Sequence, residues 1–213
     1  MKIDVYTGGY FQTNGYLVIH PGGRLVIDAP EGMADWLKQQ GIVPDLLLLT
    51  HLHYDHVIEV AAFQTEFGCP VWSFAEPDED LTLETLLTDV IGWHFDVPPF
   101  TVDRTLQDET EVEAAGFEIR LDHVPGHSPD SLCYRLEPAS GAPLATPVLF
   151  GGDVLFRDGI GRTDFPHGNH QLLIDGIREK LYRLPDETRV FPGHGPDTII
   201  GREKRSNPFV RAL

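Results

Sequence analysis

Four β-rich segments of this 213-residue sequence each run into a short loop, and all four loops carry histidine or aspartate. Asp45 to Thr50, read DLLLLT, is followed at once by His51-Leu52-His53-Tyr54-Asp55-His56. Phe117 to Leu121 leads through Asp122 and His123 to Pro125-Gly126-His127, Val148 to Phe150 leads to Gly151-Gly152-Asp153, and Arg189 to Phe191 leads to Pro192-Gly193-His194. In sheet-based enzymes, ligand groups collect on loops beyond strand ends, where glycine lets the backbone approach closely. Four convergent strand ends describe one site.

The first loop is the densest. Side-chain alternation puts His51 and His53 side by side, while Asp55 and His56 turn toward a neighbouring volume. Such a cluster is hard to bury without a metal. Imidazole and carboxylate suit zinc, iron and manganese, and the lack of nearby thiolates argues against a purely structural zinc site. The list exceeds what one tetrahedral ion uses. The economical arrangement is two divalent metal ions, zinc first with iron or manganese as alternatives. One takes His51, His53 and His127, the other Asp55, His56 and His194, and Asp153 bridges. Two cations about 3.5–4 Å apart lower the pKa of a shared water toward neutrality and supply a nucleophile. No GxSxG elbow, P-loop or GxGxxG fingerprint offers a different chemistry. The other histidines, His20, His94, His123, His167 and His170, are read as ordinary surface or core imidazoles.

Strand-like segments also cover Met1 to Tyr6, Tyr16 to His20, Leu25 to Asp28, Val71 to Phe74 and Leu132 to Leu136. Helical patterns cover Met33 to Gln40 closed by Gly41, His56 to Phe67 closed by Gly68, and Gln171 to Tyr182 stopped before Pro185. Strands interleaved with helices, plus hairpins, predict an α+β or α/β sandwich in a single domain over 1–213. A formal charge of −17 argues against a nucleic-acid partner. The acidic run Glu76 to Glu84 reads as a solvated helix face or loop. Cys69 and Cys133 lack metal-site spacing and are expected to be small buried residues. No apolar run reaches membrane-span length and the N-terminus lacks a secretory pattern, so no membrane partner and a cytoplasmic location are the expectation.

THLHYDH from Thr50 to His56, PGHS from Pro125 to Ser128, GGDVLF from Gly151 to Phe156, GIGRTDFP from Gly159 to Pro166 and FPGHGPDT from Phe191 to Thr198 together resemble the metallo-β-lactamase superfamily, more narrowly its short glyoxalase II-like branch. The resemblance implies a four-layer αββα sandwich with the metal site at the edge of two sheets. It also implies hydrolysis of a small-molecule glutathione conjugate, a thioester typified by S-D-lactoylglutathione, by a metal-bridged hydroxide. Asp55 and Asp153 are then the catalytic carboxylates. Arg162, beside the substrate in the family's arrangement, and the basic group Arg202, Lys204 and Arg205 are the candidates for recognising glutathione carboxylates. Where the family often has glycine, this sequence has Glu59 and Asp130. Larger glyoxalase II enzymes also carry a C-terminal helical domain that these 213 residues lack. A mono-iron persulfide dioxygenase of the same fold, and a lactonase or other metallo-hydrolase, are the competing readings.

Overall fold

The structure, a computed structural model, describes residues 1–138 and 146–211. The chain forms two compact units, Met1–Gln107 and Asp108–Leu213. No helix among the described residues is long and apolar enough to cross a membrane.

The first unit holds strands β1 (Lys2–Gly8), β2 (Thr13–His20) and β3 (Gly23–Ile27), helix α1 (Met33–Gln39), β4 (Leu46–Leu48), helices α2 (Tyr54–Val57) and α3 (Val60–Phe67), β5 (Val71–Ser73), helices α4 (Glu79–Thr82) and α5 (Glu84–Ile91), and β6 (Arg104–Thr105). Its six strands lie in sequence order in one sheet. The β1–β2 and β2–β3 pairs are antiparallel and the later pairs parallel. Leu46, Leu47 and Leu48 are all buried, as an unbroken apolar run in a parallel strand requires. Leu17, Val26, Leu37, Leu47, Phe63 and Val71 share one core that joins the sheet to α1 and α3.

Among the boundaries that differ from expectation, two have an identifiable reason. The strand expected to reach Thr50 ends at Leu48, because the Thr50 N–H donates to Asp28 Oδ1 at 2.7 Å instead of continuing a ladder. The helix expected from His56 to Phe67 is two helices, broken at Ile58 and Glu59. Glu59 is taken up elsewhere: its carboxylate accepts the N–H groups of Gly32 at 2.6 Å and Ala34 at 2.7 Å. Helix α1 starts after Gly32, which has no side chain to cap it, so Glu59 satisfies the orphan donors of that first turn. Gly68, at φ 60°, closes α3 in the left-handed conformation.

The second unit holds β7 (Glu111–Ala114), β8 (Phe117–His123), β9 (Leu132–Pro138), β10 (Val148–Gly152), the small hairpin β11 (Leu155–Phe156) and β12 (Gly159–Ile160), helix α6 (His170–Glu179), a 3₁₀ turn (Leu181–Arg183), β13 (Arg189–Pro192), β14 (Thr198–Ile199) and α7 (Ile200–Ser206). The sheet order is β14-β13-β10-β9-β8-β7, and only β10 with β13 is parallel. The Asn169 side chain caps α6 by accepting from Leu172 N at 3.1 Å. That helix buries Leu173, Ile174 and Ile177 in a core shared with Val124, Leu149 and Val190. Cys69 and Cys133 are free and buried in separate units, as expected of small apolar residues. Burial pushes the Cys69 thiol up to about 12.

Candidate metal centre

In the first unit the loop after β4 and the short helix α2 crowd four candidate ligands. The His51 ring centroid lies 4.5 Å from that of His53 and 4.1 Å from that of His56, and His51, His53 and His56 are all buried. Asp55 Oδ2 stands 3.6 Å from His56 Nε2 and accepts from Thr13 Oγ1 at 2.5 Å.

Asp28 organises this loop. Its backbone lies in the left-handed region at φ 60°, unusual for a non-glycine residue and a form of local strain that recurs at functional sites. Oδ1 accepts from Thr50 N, and Oδ2 accepts from Thr50 Oγ1 at 2.7 Å and from His56 Nδ1 at 2.8 Å. With its proton committed to Asp28, the Thr50 hydroxyl accepts from His51 Nδ1 at 3.2 Å. One buried carboxylate therefore sets both tautomers, so that His51 and His56 each present a basic Nε2.

In the second unit, His127 follows β8, Asp153 follows β10 and His194 follows β13. Asp153 Oδ2 lies 3.5 Å from His127 Nε2 and 3.3 Å from His194 Nε2. Both separations are long for a hydrogen bond. They are the spacing expected of donors turned toward a common centre. His127 Nδ1 donates to the Arg162 carbonyl at 2.8 Å, which again leaves Nε2 as the basic nitrogen. Gly193 N donates to Gly152 O at 2.8 Å and so ties the two strand ends that carry His194 and Asp153. Gly161 is required here: a Cβ at that position would stand 1.9 Å from Asp153 O and 3.0 Å from the His127 ring base.

The donor set fits divalent metal, since it consists of imidazole nitrogens, those of His51, His56 and His127 oriented through a hydrogen bond at Nδ1, and carboxylate oxygens, and its His and Asp side chains are capable of holding such an ion. Asp28, Thr13 and Thr50 were not singled out by sequence reasoning. A signal for Asp28 exists: like Asp153, it ends an apolar strand, here Leu25-Val26-Ile27.

The basic candidates all have acidic partners. Arg162 makes a bidentate pair with Asp164, 2.7 Å at both contacts, and its guanidinium lies 4.0 Å from the Phe165 ring centroid. The Arg162 guanidinium holds the Asp164 carboxyl down at about 2. Arg202 pairs with Asp158 at 2.6 Å, Lys204 with Asp186 at 2.7 Å and Arg205 with Asp186 at 3.6 Å. Asp130 is buried and accepts from Ser128 Oγ in the loop that carries His127. Of the remaining histidines, His123 is half-buried and bonds Pro129 O at 2.7 Å, and burial pulls its pKa down.

Two mixed sheets whose strand ends carry oriented imidazoles and carboxylates define a metal-binding α+β protein. The chain belongs to the metallo-β-lactamase superfamily, whose family model matches residues 8–194, and it is a metallo-hydrolase of that fold. Among relatives, the hydroxyacylglutathione hydrolase GloC of Haemophilus influenzae is 37% identical over 218 residues, covering 100% of this chain and 99% of the relative. The crystal structure of BLEG-1 B3 metallo-β-lactamase matches 98% of this chain and 99% of its own, with a TM-score of 0.83 and 34% identity. TTHA1623, crystallised in a di-iron-bound form, matches 97% of this chain and 100% of its own, with a TM-score of 0.77 and 35% identity.

Proposed function

We propose that this metallo-hydrolase cleaves glutathione thioesters of the S-D-lactoylglutathione type. The observation that carries the reading is Asp153 Oδ2 between the Nε2 atoms of His127 and His194, the disposition expected of a carboxylate shared by two cations. His51, His53 and His127 would hold one divalent ion and Asp55, His56 and His194 the other, with Asp153 common to both. When bound, such a pair supplies Lewis acidity and a water acidic enough to serve as nucleophile near neutral pH.

The chain's own residues provide orientation. Asp28 and the Arg162 carbonyl hold His56 and His127 through Nδ1, and Thr13 fixes the Asp55 carboxylate. A thiolate leaving group, with a conjugate-acid pKa of about 8.5, departs without a strong general acid, so thioester cleavage asks for no such group here. The choice of glutathione as the thiol draws support from the GloC relative's name. Zinc is the proposed metal, with iron and manganese as substitutes of the same donor preference.

The test is thiol release from S-D-lactoylglutathione by zinc- or manganese-loaded protein under argon. Release is the expected result. No release, together with oxygen uptake on glutathione persulfide by iron-loaded protein, would replace this reading with a mono-iron dioxygenase.

A further inference from the structure

The first unit carries a cavity of about 220 Å³ whose wall is aromatic and whose edge includes Asp55. Tyr10, Phe11, Tyr54, Trp93 and Phe95 line it. The rings brace one another: Tyr10 meets Trp93 edge to face at 4.9 Å and Phe11 at 5.1 Å, and Phe95 meets Tyr54 at 4.9 Å and Phe11 at 5.9 Å. Phe95 is buried beneath them, whereas Tyr10 and Trp93 are 60% and 57% exposed. The turn that presents Tyr10 is held by Gln12 N donating to Gly9 O at 3.2 Å, with Gly9 and Gln12 both at positive φ.

Two large aromatic rings left open to solvent around a concave apolar surface mark a ligand site more often than a structural one. Size narrows the ligand, since a cavity of about 150 Å³ lined by apolar side chains already takes benzene. Charge narrows it further. Two carboxylates, Glu31 and Asp55, lie on the same wall against one imidazole, His94, so an anionic group such as a glutathione carboxylate is disfavoured there. The uncharged part of an acylated thiol is the acyl group.

We propose that this aromatic cavity beside Asp55 receives the acyl portion of the substrate and selects uncharged, apolar acyl groups of aryl size. The inference rests on the thioester reading and names the substrate class within it. Phenylacetyl is the model acyl group, because its ring fits the volume and its methylene lets the carbonyl reach Asp55's side of the wall.

The experiment uses the zinc-loaded full chain and three glutathione thioesters that differ only in the acyl group: acetyl, succinyl and phenylacetyl. Wild-type kcat/KM should favour phenylacetyl over acetyl by about tenfold, with succinyl the poorest. Trp93→Ala and Tyr10→Ala, both at exposed positions, should each erase most of that ratio while circular dichroism stays unchanged. A second readout needs no turnover: phenylacetamide, an uncharged mimic of the acyl group, should shift the tryptophan fluorescence of the wild type saturably, Trp93→Phe should abolish the shift, and Tyr10→Ala should weaken binding. Hydrolysis of all three thioesters with a selectivity that neither alanine variant alters overturns the acyl pocket and leaves the thioesterase reading intact. Hydrolysis of none, with phenylacetamide still bound through Trp93, sinks the thioesterase reading and retains the cavity as a site for apolar acyl groups.

Discussion

His56 Nδ1 and Asp28 Oδ2 are 2.8 Å apart, and both side chains are buried. The pair lies 28 residues apart in sequence, yet it decides which nitrogen of His56 is left as the basic one. Because Asp28 also engages Thr50, and Thr50 engages His51, removing one carboxylate unsettles two candidate ligands. Loss of such an outer partner typically costs about 10–100-fold in metal affinity. Asp28→Ala is expected to weaken zinc binding by that amount in competition with a chromogenic chelator. Wild-type affinity in this variant would show that the ring orientation is set by something else.

Asp153→Ala removes the oxygen that faces both His127 and His194. Metal content and hydrolysis should fall together, with far-ultraviolet circular dichroism preserved. Metal analysis that returns two ions per chain in this variant would rule out a shared carboxylate.

His194→Ala leaves Asp153 and His127 in place but deprives the second proposed ion of one ligand. The rate of thiol release should drop by at least about tenfold, or about 1.4 kcal/mol of transition-state stabilisation. A rate within twofold of the wild type would remove His194 from the working ligand set.

Gly161→Ala tests the close packing around the second donor group. The added methyl would overlap Asp153 O and press on the His127 ring, so the backbone must shift. Overpacking of this kind costs about 1–3 kcal/mol. Urea unfolding should register that loss, and metal affinity should fall with it. Unchanged stability would mean that the Gly159-to-Pro166 segment yields more easily than its contacts indicate.

Arg162→Ala separates electrostatics from substrate binding. The Asp164 carboxyl, held at about 2 beside the guanidinium, should return toward its ordinary value of 3.8, as followed by carboxyl carbon NMR. The sign follows from the depressed value. The contribution of this pair to stability is present above the ordinary carboxylate pKa, is lost as pH falls toward 2, and is absent at every pH in the variant. If Arg162 also reads a glutathione carboxylate, KM rises more than kcat falls. An unchanged KM assigns the guanidinium to Asp164 alone.

The fold was legible because its signals are local. The apolar run Leu46 to Leu48, the alternation in Lys2–Gly8 and the stop at Gly68 each reflect forces that act within a few residues. The candidate ligands stood out for the same reason, since they follow strand ends in compact motifs. What was not legible depends on contacts across long stretches of sequence. Thr13 reaches Asp55 over 42 residues and Asp28 reaches Thr50 over 22, and no spacing rule announces either. The break between α2 and α3 was hidden as well, because Glu59 is drawn away by donors 25 and 27 residues earlier. Short β6 and β14 carry too few residues to show a period.

Glu59 bears on how this sequence can be changed. A redesign guided by the resemblance to the superfamily would place glycine there, on the expectation of a neutral or stabilising substitution. In this chain it would strip the opening turn of α1 of its borrowed acceptor and leave Gly32 N and Ala34 N to compete for water. Glutamate here and a side-chain-less residue at Gly32 are a matched pair, to be kept or exchanged together.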